Sequence, residues 1–178
     1  SKAAGPRRRL RGWRAGLLRA GLLVLSPLLF FGIVELGLRL AGYGYPTGFF
    51  VGPDHRGVYE TNPKFGWRFF PQAIARAPQP CFLGQKPPDT IRIFVLGSSA
   101  AMETPEPSFS FGRILEVMLR EQYPDVRFEV VNAAMTAINS HVALEIAKDC
   151  AAHQPDFFVV FMGNNEVIGP YGPGTVFQ

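Results

Sequence analysis

No acidic residue precedes Glu35 in this 178-residue chain, cysteine occurs only at positions 81 and 150, and histidine only at 55, 141 and 153. With so few thiols and imidazoles, no ligand spacing for a structural metal or an attached haem is present. No glycine-rich phosphate loop or dinucleotide fingerprint is present either. No metal and no cofactor are therefore expected. Internal repeats are absent, and the only low-complexity tract is the arginine-rich start. Two cysteines allow a single intramolecular bridge; the alternative is a pair of buried thiols, and the sequence leaves both open.

The early absence of acid is matched by an excess of base. Lys2, Arg7, Arg8, Arg9, Arg11, Arg14 and Arg19 are seven of the 18 basic residues, and the remaining chain carries 11 basic against 14 acidic residues. A nucleic-acid-binding domain spreads Lys and Arg over a folded face. Here the excess is confined to an arm, so nucleic acid is not an expected partner.

After the arm, "LLRAGLLVLSPLLFFGIVELGLRL" (Leu17 to Leu40) contains a charge-free apolar run from Ala20 to Val34. With its flanks it reaches the roughly 20 residues that span a bilayer. Pro27 is tolerated in such a helix, and Glu35 and Arg39 stand four apart, as an ion pair on one helix face requires. A cleaved signal peptide has the same first two regions, but no A-x-A site follows, so an uncleaved anchor is expected. The basic flank places the N-terminus in the cytoplasm. In a double-membrane bacterium the anchor then sits in the inner membrane, single-pass, with the globular part in the periplasm. The expected organisation is a basic arm over 1–14, a transmembrane helix over 15–40, a connector over 41–88 and an α/β domain over 89–178.

The connector is rich in Gly, Pro and aromatics and shows neither helical nor alternating periodicity. "FGWRFF" (Phe65 to Phe70) suits packing on the globular domain or on another protein better than a flexible linker. Beyond Pro88 the pattern becomes regular. "IRIFVL" (Ile91 to Leu96), "VRFEVV" (Val126 to Val131) and "FFVVFM" (Phe157 to Met162) read as strands. A first helix, capped by Ser108 or Ser110, places Phe111, Ile114, Leu115, Met118 and Leu119 on one face and stops at Pro124. A second follows Asn139 or Ser140 and buries Val142, Ile146 and Cys150 before Pro155. Alternating strands and helices predict a three-layer α/β fold with a parallel sheet, its first strand central.

Ligands of open α/β sheets bind beyond the carboxyl ends of the strands. There the sequence places Gly97-Ser98-Ser99, Asn132-Ala133-Ala134 and Gly163-Asn164-Asn165-Glu166. In this order the three loops resemble the blocks of the SGNH (GDSL-like) hydrolase family, whose sheet is flavodoxin-like. Ser98 stands where that family usually has Asp, and Ala134 where it has Gly. The resemblance extends to "ELGLRLAGYGYP" (Glu35 to Pro46) and "GNNEVIGPYGPGTVF" (Gly163 to Phe177), which look like a membrane-anchored subgroup, some of whose members carry tetratricopeptide repeats further on.

By that resemblance Ser99 is the nucleophile, and the oxyanion is held by the backbone N–H groups of Ser99 and Ala134 and the side-chain amide of Asn165. The family's Asp-x-x-His block is not reached before Gln178, so the site lacks its base and is expected to be catalytically incomplete. His141, opening the second helix, is read as a solvated or capping side chain, and His153 as a favourable charge at that helix's C-terminus. Glu103 and Glu106 read as a solvated loop pair. The leading expectation is an accessory or scaffolding subunit of a membrane complex, contacting the bilayer through its anchor and other subunits through the connector and an exposed sheet edge. Whether that complex is respiratory, photosynthetic or secretory the residues do not decide. The other reading is an extracytoplasmic serine esterase or acyl-transfer enzyme acting on a small acyl ester.

Overall fold

The apolar run and its basic flank form one continuous helix, α1 (Arg7–Leu40), with Pro27 inside it. In the computed structural model, residues 7–102 and 107–175 are described, with side chains from Gly12 to Met102 and from Ser108 to Thr175. Lys2, Glu103, Glu106 and the side chains of Arg7, Arg8, Arg9 and Arg11 lie outside this description. Gly12–Leu40 is apolar enough to cross a membrane, as a signal sequence also would be. At ~1.5 Å per residue its 29 residues exceed the ~30 Å hydrocarbon core. Glu35 accepts from Arg39 Nε at 2.7 Å. The helix ends in a reciprocal pair of backbone bonds, Tyr43 to Leu38 and Gly42 to Arg39, with Gly42 at φ +68. That left-handed position is why a glycine stands there.

The chain divides into Ser1–Tyr45 and a globular unit from Pro46 onward. Most of the connector is thus built into the globular unit. Its strands β1 (Phe50–Val51), β2 (Tyr59–Thr61) and β3 (Phe82–Leu83) form a small antiparallel sheet in that order. Asn62 ties the entry together, donating to the carbonyls of Pro46 and Gly48 and accepting from Lys64 N–H. Phe49, Phe65, Phe70 and Leu83 are buried in one cluster with Phe94, Leu96, Val131, Val142 and Ile146. Phe49 packs edge-on against Phe65 at 5.2 Å. Much of the aromatic wealth of the connector therefore serves the core.

The second sheet is parallel, with β4 (Thr90–Gly97) between β5 (Arg127–Asn132) and β6 (Phe157–Phe161). In register Phe94 faces Val131 and Phe158, and Val95 faces Asn132 and Val159. Period-two alternation sends Phe94 and Leu96 to one face, where α4 (Ser140–Ala151) covers them with Val142, Ile146 and Cys150. Val95 points to the other face, where it packs with Ala101, Met102 and Val130. There α3 (Phe111–Gln122) approaches through Gly112, at whose position a Cβ would lie 3.3 Å from Val95. The helices thus take opposite faces of the sheet.

Ser110 is the N-cap of α3, accepting from Arg113 N–H at 3.2 Å. The inward face of α3 differs from the apolar face read in the sequence. Gly112 and Glu116 are buried, whereas Ile114 and Met118 are 50% and 63% exposed. The rotation follows from two features that an apolar count ignores: Gly112 permits close approach, and Glu116 is neutralised by Arg113 at 2.5 Å and Arg120 at 2.6 Å.

Both cysteines are free thiols. Burial pushes the Cys81 thiol up to about 11 and raises that of Cys150, with Asp149 adding to the rise. The expectation for His153 is corrected. It lies beyond the end of α4, edge-on to Phe50 and Tyr59 at 4.8 and 4.6 Å. Burial, reinforced by the charge of Arg92, holds its imidazole below the usual histidine value. Burial and Arg92 outweigh the opposing charge of Asp149, so the protonated ring is disfavoured.

Candidate functional site

Parallel pairing on both sides of β4 brings the three loops to one edge. β4 ends at Gly97, and the short helix α2 (Ser99–Met102) starts immediately after Ser98. The Ser98 carbonyl accepts from Ala101 and Met102 N–H, each at 3.0 Å. Ser98 is buried and its hydroxyl donates to Asn164 Oδ1 at 2.9 Å. The first and third loops are therefore joined by the residue that replaces an aspartate in the resembling family. Ser99 is exposed, and its hydroxyl has no hydrogen-bond partner among the described residues.

The second loop is fastened in the same way. Asn132 donates to the Ala101 carbonyl at 2.9 Å and accepts from Ala134 N–H at 3.0 Å. Ala133 N–H reaches Val95 O, and Met135 N–H reaches Gly97 O. The third loop closes over the start of α4. Glu166 accepts from both the N–H and the hydroxyl of Ser140, at 3.0 and 2.6 Å. Asn139 donates to Pro170 O at 2.7 Å, and Asn165 Nδ2 donates to Ile138 O at 3.2 Å.

These bonds decide what the edge can do chemically. Of the oxyanion donors expected from the sequence, Ala134 N–H is engaged by Asn132 and the Asn165 amide by Ile138. An oxyanion hole works when its donors are already aimed at the developing charge; the Ala134 N–H would first have to leave Asn132, whereas the Asn165 amide, with two N–H groups, keeps one beyond its bond to Ile138. Beside Ser99 lies a cavity of about 470 Å³ lined by Arg76, Ala77, Ser99, Met102 and Thr136. Neither Ala134 nor Asn165 lines it, and no histidine does. His141 is exposed and edge-on to Tyr171 at 6.4 Å, His153 sits with Phe50 and Tyr59, and His55 is exposed.

Sequence reasoning did not select Arg76 or Thr136. The first lies in the aperiodic connector and the second in an ordinary loop, so neither carries a local signal. The Ser98–Asn164 bond was more accessible, since both residues fall inside the resembling blocks. A larger cavity, about 660 Å³, lies at the amino ends of β4 and β5 and is lined by residues including Thr90, Arg120, Arg127 and Glu129, away from the three loops. Among the described residues no three His, Cys, Asp or Glu side chains converge as a metal site would need. Comparison with protein-family models, curated proteins and solved structures finds no match to this chain.

Proposed function

We propose that this chain is a membrane-anchored, extracytoplasmic SGNH-like body that serves as an accessory subunit of a membrane complex, docking through its open sheet edge without hydrolysing esters. The observation that carries the reading is β6. Its sequence is entirely apolar, yet Phe157 and Phe161 on one face and Phe158 and Val160 on the other are all exposed, at 60%, 53%, 40% and 61%. Strands of parallel sheets are ordinarily covered on both faces, and an unprotected apolar edge is a template for pairing. Among the described residues β6 pairs with β4 alone, which leaves its other side open to a strand.

Support for an SGNH-like, flavodoxin-like sheet comes from the central position of the first strand and from the three loops sharing an edge. The engaged Ala134 N–H, and a Ser99 cavity without an imidazole among the described residues, support catalytic silence, because a serine needs an adjacent base to attack at neutral pH. The arginine excess in the first part of α1, ahead of its charge-free apolar run, supports a cytoplasmic N-terminus and, in a double-membrane bacterium, a periplasmic globular unit. One observation favours the esterase or acyl-transfer reading: the Ser99 hydroxyl is exposed, unpartnered and faces a cavity.

The docking claim is tested by placing a photoreactive amino acid at Val160, or for comparison at Leu144 on the exposed side of α4, in cells producing the full chain. A discrete adduct with a second polypeptide is expected from position 160 and not from 144. No adduct from 160, or equal adducts from both positions, would overturn the reading.

A further inference from the structure

We propose that the cavity beside Ser99 is a binding site for the carboxylate or phosphate group of a water-soluble anionic ligand, held by Arg76 together with the hydroxyls of Ser99 and Thr136. The proposal is independent of docking through β6, which does not line this cavity.

Charge is the first argument. In the globular unit Arg56, Arg68, Arg92, Arg113 and Arg120 each meet a carboxylate. Arg76 and Arg127 meet none among the described residues, but the cavity that Arg127 borders is also lined by Asp125 and Glu129, whereas no described acidic residue lines the one that Arg76 borders. A guanidinium presents a planar fork of donors that matches carboxylate and phosphate oxygens. The second argument is placement. The connector segment bearing Arg76 is seated rather than trailing: at Gly66 a Cβ would come within 2.6 Å of the Arg76 carbonyl oxygen, so only glycine admits that backbone approach. Gln79 then ties the segment to α2, donating to Met102 O at 3.2 Å.

Complementary chemistry is the third. The Ser99 hydroxyl is unpartnered, and that of Thr136 is spent on Met102 Sδ at 3.3 Å, a weak acceptor readily exchanged for an anionic oxygen. A cation and two hydroxyls therefore border a space of about 470 Å³, within the usual range for small-ligand sites.

The test uses the full chain in an uncharged detergent. Inorganic phosphate, and separately acetate, are titrated at constant ionic strength, and dissociation constants are read from the rise in unfolding midpoint. Saturable binding of at least one of the two anions is expected, weakened about tenfold or more in Arg76→Gln, as loss of a charge-assisted hydrogen bond implies, and less in Thr136→Val. Arg127→Gln removes another arginine without a carboxylate partner, one bordering the cavity at the amino ends of the strands, and should leave the constant unchanged. Arg76 is exposed, so its variant should keep the anion-free midpoint. A rise that never saturates, an Arg76→Gln chain that binds as tightly as the original, or equal weakening in Arg127→Gln would overturn the proposal.

Discussion

Replacing Arg92 with methionine should destabilise the globular unit by about 3–5 kcal/mol, the range found when one partner of a buried ion pair is removed. Arg92 is 2% exposed although it lies in the middle of an apolar strand. Its guanidinium is fully used: Nε donates to Glu129 at 2.7 Å, Nη1 to His153 O at 2.8 Å and Nη2 to Gly84 O at 3.1 Å. These partners come from β5, from the turn after α4 and from the segment after β3, so one side chain joins three parts of the unit. Methionine fills much of the volume but leaves two carbonyls and a carboxylate without their donor. Glu129 is about a third exposed and can turn to water, which places the cost toward the lower end of the range. Urea unfolding of the detergent-solubilised chain, followed by Trp67 fluorescence, measures it. A loss under about 1 kcal/mol, the net worth of one ordinary hydrogen bond, would mean that the guanidinium does not hold these parts together.

Gly97→Ala should be nearly as damaging for a different reason. A Cβ at Gly97 would collide with the Cβ of Ala101 and stand 2.7 Å from the Phe161 carbonyl oxygen. Neither neighbour is the end of a flexible side chain, so relief requires moving α2 or the end of β6. Overpacking of this kind costs about 1–3 kcal/mol, and rigid neighbours push the value upward. The movement also displaces Ser99, two residues on. Because Ala101 supplies one of the two collisions, Gly97→Ala with Ala101→Gly should be less destabilised than the sum of the single variants, the non-additivity expected of residues in contact. A neutral Gly97→Ala, read from the same unfolding curves, would contradict the tight turn.

The parallel sheet was legible because its three strands are short β-branched or aromatic runs bounded by turn residues, and the helices between them carry ordinary stop signals such as Pro124 and Pro155. The face of α4 was legible too, since Val142, Ile146 and Cys150 follow helical spacing and all are buried. For α3 the same logic failed, because its inward face includes a glycine and a neutralised glutamate, while Ile114 and Met118 lie outside. Strands β1 and β3 are two residues long, too short to show any period. That Arg92 is buried depends on acceptors from distant segments and leaves no mark on its own neighbourhood.

At the candidate site, the meeting of three loops followed from strand order alone. Their hydrogen bonding did not. Whether Ala134 N–H faces a cavity or the Asn132 side chain depends on a rotamer, and no spacing rule encodes one. Arg76 borders the same cavity as Ser99 from a connector whose path is set by Asn62, Gly66 and Gln79 acting together, three contacts distant in sequence from the block they serve.

Catalytic silence is the claim on which the account turns, and the hydrolysis of short-chain aryl esters by the purified chain, assayed beside Ser99→Ala, tests it most directly. An oxyanion hole and binding alone leave about a thousandfold acceleration over water in a complete serine protease stripped of its triad, and a site whose Ala134 donor is already engaged should give less. The account predicts equal rates for the two proteins. A clear loss of turnover in Ser99→Ala would contradict it, showing that Ser99 has a working base and that the chain is an enzyme.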